Sequence, residues 1–594
     1  MKRTRFVWLI LIGLIGFAGL TRWQKLSEEP LIITDGQGYY AYLPAVFIYH
    51  DLQFNFVEGI NQTYYPEGKR AKFIIASDKG KVNKYFVGTV VLEAPFFLAG
   101  CLVAKAVGVP VDGYSWPFQL MVGLAAICYL VLGLFLLGKL LVALGFSSSN
   151  VVITLSVVAF GTNLFYYTVY EPSMSHLYSF FSISAFLYFI KRSSDDFSAR
   201  DSALAALVLG ITVLIRPTNA LVLLGVPVVA GGLAGSLMLL ENMASNLRWM
   251  MFLLGIFLAV VLVQPIVYLL QTGSPMVWSY EGEGFNFSSP EIFNVLFSYR
   301  KGLFVYCPVL ILTLVGITAG LSRKKGEYGW LLLLLFAVTW VIASWWMWYF
   351  GGSFGHRAFI EYYPLFAIGI AAALHHGMGL LTPTVLRWAA LLFIPLQLVQ
   401  TYQYNLHIIP FDNMNKQKFW NLFLRTGEDL AWYYSGYEGE DDYVGTDSLT
   451  IRNEMEQEQG WGNEQQFTDM QFHGGKRSAL MGIDDQYGIT FRKNVVELPG
   501  FNVIRISGWV RSSAWSSDVS FVCSIEDAAG ASYYWKKYPL RPQFDGTNEW
   551  SRVMAVYKCG VPRDSTDNIV IYPMKSDGSK VYVDDLEISF IRAQ

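Results

Sequence analysis

Long apolar runs fill the first two thirds of the chain, whereas the last part shows short runs in which apolar and polar residues alternate. A helix needs about 17 to 25 apolar residues to cross the hydrocarbon of a bilayer. Runs of this length lie near residues 6–22, 117–143, 150–169, 173–190, 249–270, 302–320, 328–348, 359–376 and 385–402. The stretch 203–233 is broken at Arg216-Pro217 and is interpreted as two shorter spans. The pattern predicts an α-helical polytopic membrane protein with about eleven transmembrane helices.

The distribution of basic residues predicts the orientation of these spans. The basic start at Lys2, Arg3 and Arg5 favours a cytoplasmic N-terminus, because cytoplasmic loops are enriched in lysine and arginine. Threading the spans from that point also places in the cytoplasm Lys139, Lys191, Arg192, Arg200, Arg248, Arg323, Lys324, Lys325 and Arg387. The run 6–22 is either a retained anchor or a cleaved signal peptide, and the lack of an A-x-A site after it favours the anchor.

One further apolar run, residues 86–106, would reverse this orientation if it crossed the membrane. Glu93 and Pro95 in its middle are more typical of a helix at the membrane surface or of a re-entrant helix. We therefore predict a long first outer loop, residues 23–116, with juxtamembrane helices. Together with it, residues 1–402 form one membrane domain.

The rest of the chain is predicted to lie outside the cytoplasm. Residues 403–487 form a polar, acidic connector that includes the charge run 438–442. From residue 488 to 594 the alternating runs 503–510, 519–522, 553–557 and 581–588 predict strands, and the turns between them favour an antiparallel β-sandwich.

Composition and charge support a division of the chain into a part that lies in the membrane and a part that lies in water. Charged residues make up 15% of the chain and aromatic residues 16%. About half of the charged residues follow residue 402, where the net charge is about -8, against about +6 before it. Neither part has the strongly basic surface that nucleic-acid binding requires, so no nucleic-acid partner is expected.

The five cysteines contain no CxxC pair. Cys101, Cys128 and Cys307 lie in apolar runs and are interpreted as small core residues. Cys523 and Cys559 share the polar tail and are a candidate disulfide if that tail lies outside the cytoplasm. There is no HExxH motif, Cys/His cluster or P-loop, so the residues themselves imply neither a protein-only zinc site nor a nucleotide cofactor.

The first candidate site is the segment 34–44 just after the first span, where Asp35 precedes several tyrosines. One interpretation makes Asp35 the N-cap of a helix containing Tyr39 and Tyr42, with Gly36 and Gly38 as turn residues. The other makes Asp35 a general base, whose pKa desolvation beside a lipid-facing cleft would raise. Tyr39 and Tyr40 are then candidate substrate contacts.

The second candidate site consists of basic residues predicted at the outer face, where the positive-inside bias disfavours them. Each one alone could extend to a lipid headgroup, whereas together they could bind a phosphate or pyrophosphate. The residues are Lys84, Arg216, Arg300, Lys301, His356 and Arg357. The cluster 345–349 before His356 is interpreted as an interfacial aromatic belt rather than a sugar-stacking platform.

The third candidate is the turn 170–176 between two spans. It places Glu171 and His176 at the same predicted surface as Asp35. Ionisable groups at this depth are functional candidates, although a Glu-Pro turn or a core histidine is also common.

At this point residues 1–402 resemble the GT-C superfamily of polytopic glycosyltransferases, which includes the protein O-mannosyltransferases and the lipid A aminoarabinose transferase. The resemblance rests on the retained first span, the acidic motif at Asp35 opening a long outer loop, and about eleven crossings. The segments 216–219, 300–306 and 354–361, the last ending at Glu361, look like those of bacterial GT-C-like proteins. Glu171, His176 and Glu361 are then possible substrate contacts. The tail resembles carbohydrate-binding β-sandwich modules, with candidate contacts at Trp509, Trp535, Trp550, Asp584 and Asp585.

This resemblance implies transfer of a sugar from a polyprenyl phosphate or pyrophosphate to a glycan, lipid or protein acceptor outside the cytoplasm. It implies inversion at the anomeric carbon, with Asp35 as the base. Gly36 stands where many relatives have a second acidic residue, so a divalent metal is left open and no cofactor is firmly implied. The alternatives are a transporter or flippase for a lipid-linked or anionic solute, and a non-catalytic scaffold of the cell envelope.

Overall fold

The computed structural model describes residues 30–65, 70, 72–77, 80–280, 282–412, 414–426, 445–513, 519–540, 548–558 and 562–593, together with Gly13, Gly16 and Gly19. Most of the predicted first span, 6–22, and the charge run 438–442 therefore lie outside the described residues. The chain divides into two compact units, Met1–Tyr402 and Gln403–Gln594.

The predicted first outer loop forms three helices and a hairpin. Helix α1 covers Asp35–Phe47 and α2 covers Val57–Tyr64. Strands β1 (Ile74–Ser77) and β2 (Gly80–Asn83) pair antiparallel, and α3 (Gly88–Val107) follows. The loop is thus an ordered part of the first unit, with α1 packed against α3 through rings such as Tyr40 and Phe97, 5.9 Å apart.

The remaining helices of the first unit follow the apolar runs, but many runs are divided. The helices are α4 Trp116–Ala143, α5 Ser148–Phe160, α6 Leu164–Val169, α7 Ser175–Asp196, α8 Ala199–Ile215, α9 Val226–Val229, α10 Gly232–Ala244, α11 Leu247–Val261, α12 Val263–Thr272, α13 Ile292–Phe297, α14 Leu303–Tyr306, α15 Leu312–Leu321, α16 Glu327–Ala343, α17 Tyr363–His376 and α18 Pro383–Asn405. Three 3-10 helices, Pro217–Gly225, Pro308–Ile311 and Arg357–Tyr362, join some of them.

Five helical segments among the described residues are long and apolar enough to cross a membrane, or six if the pair bent by 105° between Val229 and Gly232 counts as one span. Breaks in the apolar runs account for part of the difference from eleven, and the first predicted span lies mostly outside the described residues. The run 150–169 is divided at Gly161, and proline begins the 3-10 helices at Pro217 and Pro308 because its ring cannot continue the preceding helical hydrogen bonds. The count of eleven crossings stays a prediction.

Helix α3 is 20 residues long and is one of the segments that satisfy the length and composition of a span. Its first residue, Gly88, lies against the C-terminal end of α8, where an added Cβ would approach the Ile215 nitrogen to 2.1 Å. Farther along, Phe97 contacts Phe118 near the N-terminal end of α4, with ring centroids 5.2 Å apart. Between these two contacts, the Leu92 carbonyl accepts a 2.7 Å hydrogen bond from Tyr129 in the middle of α4, so α3 also packs along that helix.

The second unit is built mainly from antiparallel strands in two sheets. In chain order the strands are β3 Gly445–Asn453, β4 Phe467–Thr468, β5 Ser478–Met481, β6 Phe491–Asn494, β7 Val503–Ser512, β8 Val519–Glu526, β9 Ser532–Pro539, β10 Trp550–Lys558, β11 Asn568–Lys575 and β12 Val581–Ala593. One sheet has the order β10-β7-β12-β5-β4, with β3 also paired to β12, and the other has the order β6-β11-β8-β9. The strands predicted at 503–510, 519–522, 553–557 and 581–588 are confirmed.

Side chains from the two sheets meet in a common core, for example the rings of Phe491 and Phe590 at 6.0 Å. Strands β3, β4 and β5 belong to the segment 403–487 that was predicted as a connector, so the sheets begin before residue 488. β4 and β5 have only two and four residues, and β3 lies in a polar segment, so hydrophobic periodicity does not reveal them. The same segment also holds a short helix, Lys416–Leu422.

The candidate disulfide stays a prediction. Cys523 is buried in β8, whereas Cys559 lies outside the described residues.

Candidate active site

Asp35 is the first residue of helix α1, and Thr34 occupies the N-cap position. The Asp35 carboxylate does not cap its own helix. Its Oδ1 atom accepts a 2.7 Å hydrogen bond from the Tyr85 hydroxyl, and its Oδ2 atom accepts a 2.8 Å hydrogen bond from Arg357 Nη2. The N-cap interpretation is therefore wrong, and the carboxylate is held by two residues distant in sequence.

The glycines beside Asp35 are helical, not turn residues, and they permit close packing. A Cβ at Gly36 would lie 2.0 Å from the Ser173 Oγ atom, and one at Gly38 would lie 2.3 Å from the Tyr85 ring. A larger residue at either position would push α1 away from the groups that surround Asp35. The close approach of α1 to Ser173 therefore requires glycine at position 36, and this requirement does not depend on a metal.

Arg357 and Arg216 flank α1 from two different elements. Arg357 begins a 3-10 helix, and its guanidinium pairs with Asp35. Arg216 follows the last residue of α8, and its Nη2 atom donates to the Tyr39 hydroxyl at 3.1 Å, one helical turn after Asp35. Both arginines therefore contact the helix that carries the candidate base.

Arg216 has two further contacts. Its Nε atom donates to Ser175 Oγ at 3.2 Å, and its Nη1 atom lies 3.1 Å from Glu361 Oε1. The same Glu361 oxygen lies 3.2 Å from His176 Nδ1. The sequence interpretation named Glu361 and His176 as substrate contacts, but His176 is fully buried and its described contact is with Glu361.

These groups surround a cavity of about 550 Å³. Asp35, Tyr39, Lys84, Arg216, Arg357 and Glu361 all line it. Apolar residues line it as well, including Leu221 of the 3-10 helix after Arg216 and Val338, Val341 and Ile342 of α16. The cavity thus combines charged and apolar lining, which suits an amphiphilic ligand.

Lys84 closes another side of the cavity. Its Nζ atom forms a 2.6 Å ion pair with Glu283, and its carbonyl accepts a 2.9 Å hydrogen bond from Ser279 Oγ. The loop after α12 is thereby fixed to the first outer loop. Three ion pairs line the cavity: Lys84 with Glu283, Arg216 with Glu361 and Arg357 with Asp35.

Not every predicted basic residue reaches the cavity. The Arg300 guanidinium stacks on the Tyr349 ring at 3.5 Å, Lys301 is buried and donates to the Ser353 carbonyl, and His356 Nε2 donates to the Trp348 carbonyl at 2.9 Å. Burial lowers the pKa of His356 to about 3, so its imidazole is neutral near pH 7. These three residues therefore do not line the cavity, whereas Lys84, Arg216 and Arg357 do.

Tyr40 and Glu171 also lie away from the cavity lining. Tyr40 is buried and donates to the Gly113 carbonyl at 2.7 Å, because residues 39 and 40 point to different sides of α1. Glu171 accepts a 3.1 Å hydrogen bond from the Tyr166 hydroxyl. Burial raises the pKa of Glu171 to about 7, even though Arg357 and Tyr166 act in the opposite direction.

The sign of the Asp35 pKa shift differs from the sequence expectation. Burial raises this pKa, but the Arg357 guanidinium, the Tyr85 hydroxyl and the charges of Arg216 and Lys84 outweigh burial and lower it overall. Asp35 is therefore an ionised carboxylate near pH 7. It can accept a proton, and its basicity depends on how tightly Arg357 holds it.

Sequence reasoning missed several residues of the site. Tyr85, Tyr280 and Glu283 contribute to its wall, and Trp345, which was assigned to an interfacial belt, lines the cavity too. The Tyr280 and Trp345 rings are in edge contact at 5.7 Å. Tyr85 directly follows Lys84, but Tyr280 and Glu283 carry no such signal, since nothing in a linear pattern shows which loop covers a cavity.

No group of three or more His, Cys, Asp or Glu side chains with the geometry of a metal site occurs within the described ranges.

In the second unit, the candidate carbohydrate contacts have different environments. Asp584 is buried, and its Oδ2 atom accepts hydrogen bonds from the backbone nitrogens of His473 and Gly474. The His473 ring stacks on Trp509 at 3.7 Å and contacts Trp550 at 6.0 Å. By contrast, Trp535 is 49% exposed, with its Nε1 atom donating to the Tyr572 hydroxyl at 3.1 Å. Trp535 is therefore more open to a ligand than Asp584.

Comparisons with known proteins give distant structural matches. The chain is similar to the arabinosyltransferase EmbB from Mycobacterium smegmatis (12% identity, 98% of this chain and 65% of that chain, TM-score 0.39). It is also similar to an oligosaccharyltransferase from Archaeoglobus fulgidus (11% identity, 71% of this chain and 60% of that chain, TM-score 0.37).

A part covering 26% of the chain is similar to 99% of the CBM22-1 xylan-binding domain of Paenibacillus barcinonensis Xyn10C (19% identity, TM-score 0.19). No family model and no curated protein matches the sequence.

Proposed function

We propose that this chain is an integral membrane glycosyltransferase. It moves a sugar from a polyprenyl phosphate or pyrophosphate to an acceptor hydroxyl on the extracytoplasmic side, with inversion and with Asp35 as the general base. The observation that carries the proposal is the Asp35–Arg357 pair in a cavity that is lined by both charged and apolar side chains.

The two kinds of lining suit the two ends of such a donor. The arginines supply planar donors that bind phosphate oxygens, and lining residues such as Leu221 and Ile342 offer apolar surface to an isoprenoid chain. The aromatic side chains Tyr280 and Trp345 also line the cavity and suit the faces of a sugar ring.

The chemical step needs a base and a stabilised leaving group. The acceptor oxygen forms a bond to the anomeric carbon while its proton passes to Asp35, and the bond from that carbon to the phosphate oxygen breaks. The electron pair stays on the phosphate, whose charge Arg357 and Arg216 neutralise. When Arg357 turns from Asp35 toward the phosphate, Asp35 loses a stabilising partner and becomes a stronger base.

The proposed topology has the N-terminus in the cytoplasm and the tail outside it. Arg216, Ser175 and Tyr39 are in contact, so the ends of α8 and α7 that carry Arg216 and Ser175 lie at one level. The distribution of basic residues supports the orientation, because this arrangement keeps residues 323–325 in the cytoplasm.

Native mass spectrometry of the purified full-length chain with added undecaprenyl phosphate tests the donor class. We expect one retained lipid phosphate, and we expect Arg216→Ala to weaken retention about tenfold to a hundredfold, as loss of a charge-assisted hydrogen bond does. Arg248→Ala removes an exposed arginine of α11 and serves as the control. Equal retention by wild type and Arg216→Ala would contradict a phosphate site in this cavity.

A transfer assay separates the enzyme from a flippase. Both bind a lipid phosphate, but only the enzyme releases free polyprenyl phosphate from a glycosylated donor when an acceptor is present. Flipping without bond cleavage would support the transporter alternative.

A further inference from the structure

Glu361 forms a link between His176 of α7 and Arg216 of the cavity. Its Oε1 atom lies 3.2 Å from His176 Nδ1 and 3.1 Å from Arg216 Nη1. Glu361 and His176 are 1% and 0% exposed. Because a carboxylate can only accept, the geometry assigns the ring proton to Nδ1 of His176.

Two consecutive residues at the start of α7 therefore act on the same guanidinium. Ser175 accepts from Arg216 Nε directly, and His176 acts through Glu361. The Tyr39 hydroxyl accepts from Nη2. Each nitrogen of Arg216 thus has a described contact, and the guanidinium plane is fixed by three separate elements.

The environment of His176 argues for a fixed role. The ring packs in edge contact with Tyr167 at 5.7 Å, and its Nε2 atom is buried without a hydrogen-bond partner in the structure. A buried polar atom without a partner costs free energy, so an apolar ring would fill this part of the core at lower cost than histidine. The hydrogen bond from Nδ1 to Glu361 is what histidine adds here, and it offsets that cost.

We propose that His176 is a positioning residue: through Glu361 it sets the plane of the Arg216 guanidinium so that this side chain faces the phosphate of the donor. The inference rests on the proposed function for the identity of the ligand. It does not make His176 a proton donor or acceptor in the reaction. Without the Nδ1 hydrogen bond, Glu361 can rotate and carry Arg216 with it.

The first test measures the arginine itself and needs no donor. The full-length chain in detergent is treated with phenylglyoxal, which modifies accessible guanidinium groups, and the rates at Arg216 and Arg357 are read by mass spectrometry. We expect His176→Phe to raise the rate at Arg216 at least threefold and to leave Arg357 unchanged. An unchanged rate at Arg216 in a folded His176→Phe protein would overturn the proposal.

His176→Asn provides the conservative variant. An asparagine amide can place an N–H close to the position of Nδ1, so we expect the Arg216 rate to return to within about twofold of wild type. Equal rates for the Asn and Phe variants would mean that packing, and not the hydrogen bond, controls Arg216, and this would also overturn the proposal. The melting temperature of each variant shows whether it is folded.

The second test is a double-mutant cycle on undecaprenyl phosphate binding. We expect His176→Phe to weaken binding about tenfold in wild type and by less than twofold when Arg216 is already glutamine. A tenfold loss in both backgrounds would show a general structural effect and contradict positioning through Arg216. If wild type binds no lipid phosphate while the phenylglyoxal result holds, the proposed function fails and the positioning role of His176 stands for another anion.

Discussion

The Oδ2 atom of Asp35 accepts a 2.8 Å hydrogen bond from Arg357, which lies 322 positions later in the chain. The pair joins the first outer loop to the 3-10 helix before α17. It explains how a carboxylate that is partly shielded from water remains ionised, because the guanidinium outweighs the effect of burial. The same contact restrains the base until another anion competes for Arg357.

Asp35→Asn should leave the protein folded and inserted and should reduce transfer by at least about a hundredfold, because an amide keeps the shape but cannot take the proton. Release of polyprenyl phosphate from a glycosylated donor is the measurement. Asp51→Asn changes another carboxylate of the same loop, whose oxygens accept from the backbone nitrogens of Gln53 and Asn55, and serves as the control. Near wild-type transfer by Asp35→Asn would direct the search for the base to Glu361 or Glu171.

Arg357→Gln should shift the acid limb of the pH profile of kcat/KM to higher pH. Arg357 lowers the pKa of Asp35, so without it the effect of burial dominates and the carboxyl takes up its proton at a higher pH. Arg357→Gln should also weaken donor binding. The pH profile of the variant is compared with that of Arg248→Gln, and superimposable acid limbs would show that Asp35 does not control this limb.

Glu171 should make the protein less stable as the pH rises through about 7. Its pKa is raised to about 7 in the folded chain by burial, above the ordinary value near 4.3. Between the two pKa values the folded state binds more protons than the unfolded state. The free energy of unfolding therefore falls as the pH rises from the lower pKa to the higher one. The melting temperature in detergent should fall more from about pH 5 to pH 8 in wild type than in Glu171→Gln. Parallel curves for the two proteins would contradict a raised pKa.

Single cysteines introduced into a cysteine-free variant should report the topology. An impermeant thiol reagent should label a cysteine at Ser513 in intact cells, or in spheroplasts if there is an outer membrane. A cysteine at Ser322 should be labelled only after the membrane is opened, because Arg323 to Lys325 are predicted to be cytoplasmic. Labelling in the opposite order would mean that α3 crosses the membrane.

Trp535→Ala should weaken binding of the full-length chain to a carbohydrate if the tail is a carbohydrate-binding module. The indole is about half exposed and is held by Tyr572, so it can present a fixed apolar face to a sugar ring. Retention on a panel of immobilised polysaccharides should fall at least about fivefold, while Met470→Ala, which removes another exposed apolar side chain of the same unit, should not change it. Equal retention of both variants would favour a docking or stability role for this face.

Local sequence patterns were enough to predict apolar helices, four of the strands after residue 502 and Asp35 as the leading candidate base, but not the strands Ser532–Pro539 and Asn568–Lys575. These features depend on periods of hydrophobicity and on an acidic residue placed just after an apolar run, and both are local properties of the chain. Hydrophobic periodicity does not predict where an apolar run is broken into separate helices. A run such as 150–169 has the composition of one span, although its backbone forms two helices.

The tertiary structure alone decided which charged residues form the candidate site. It brings Arg216 and Arg357 to Asp35, places Arg300 on the Tyr349 ring and makes His356 a buried neutral imidazole. It also reverses the expected pKa shift of Asp35, since the sign depends on the distance to a guanidinium that only the packing of separate helices sets. Hydrophobic periodicity shows which face of a helix is apolar but not which neighbour that face meets, so the partners of Asp35, Arg216 and Glu361 could not be predicted from the sequence.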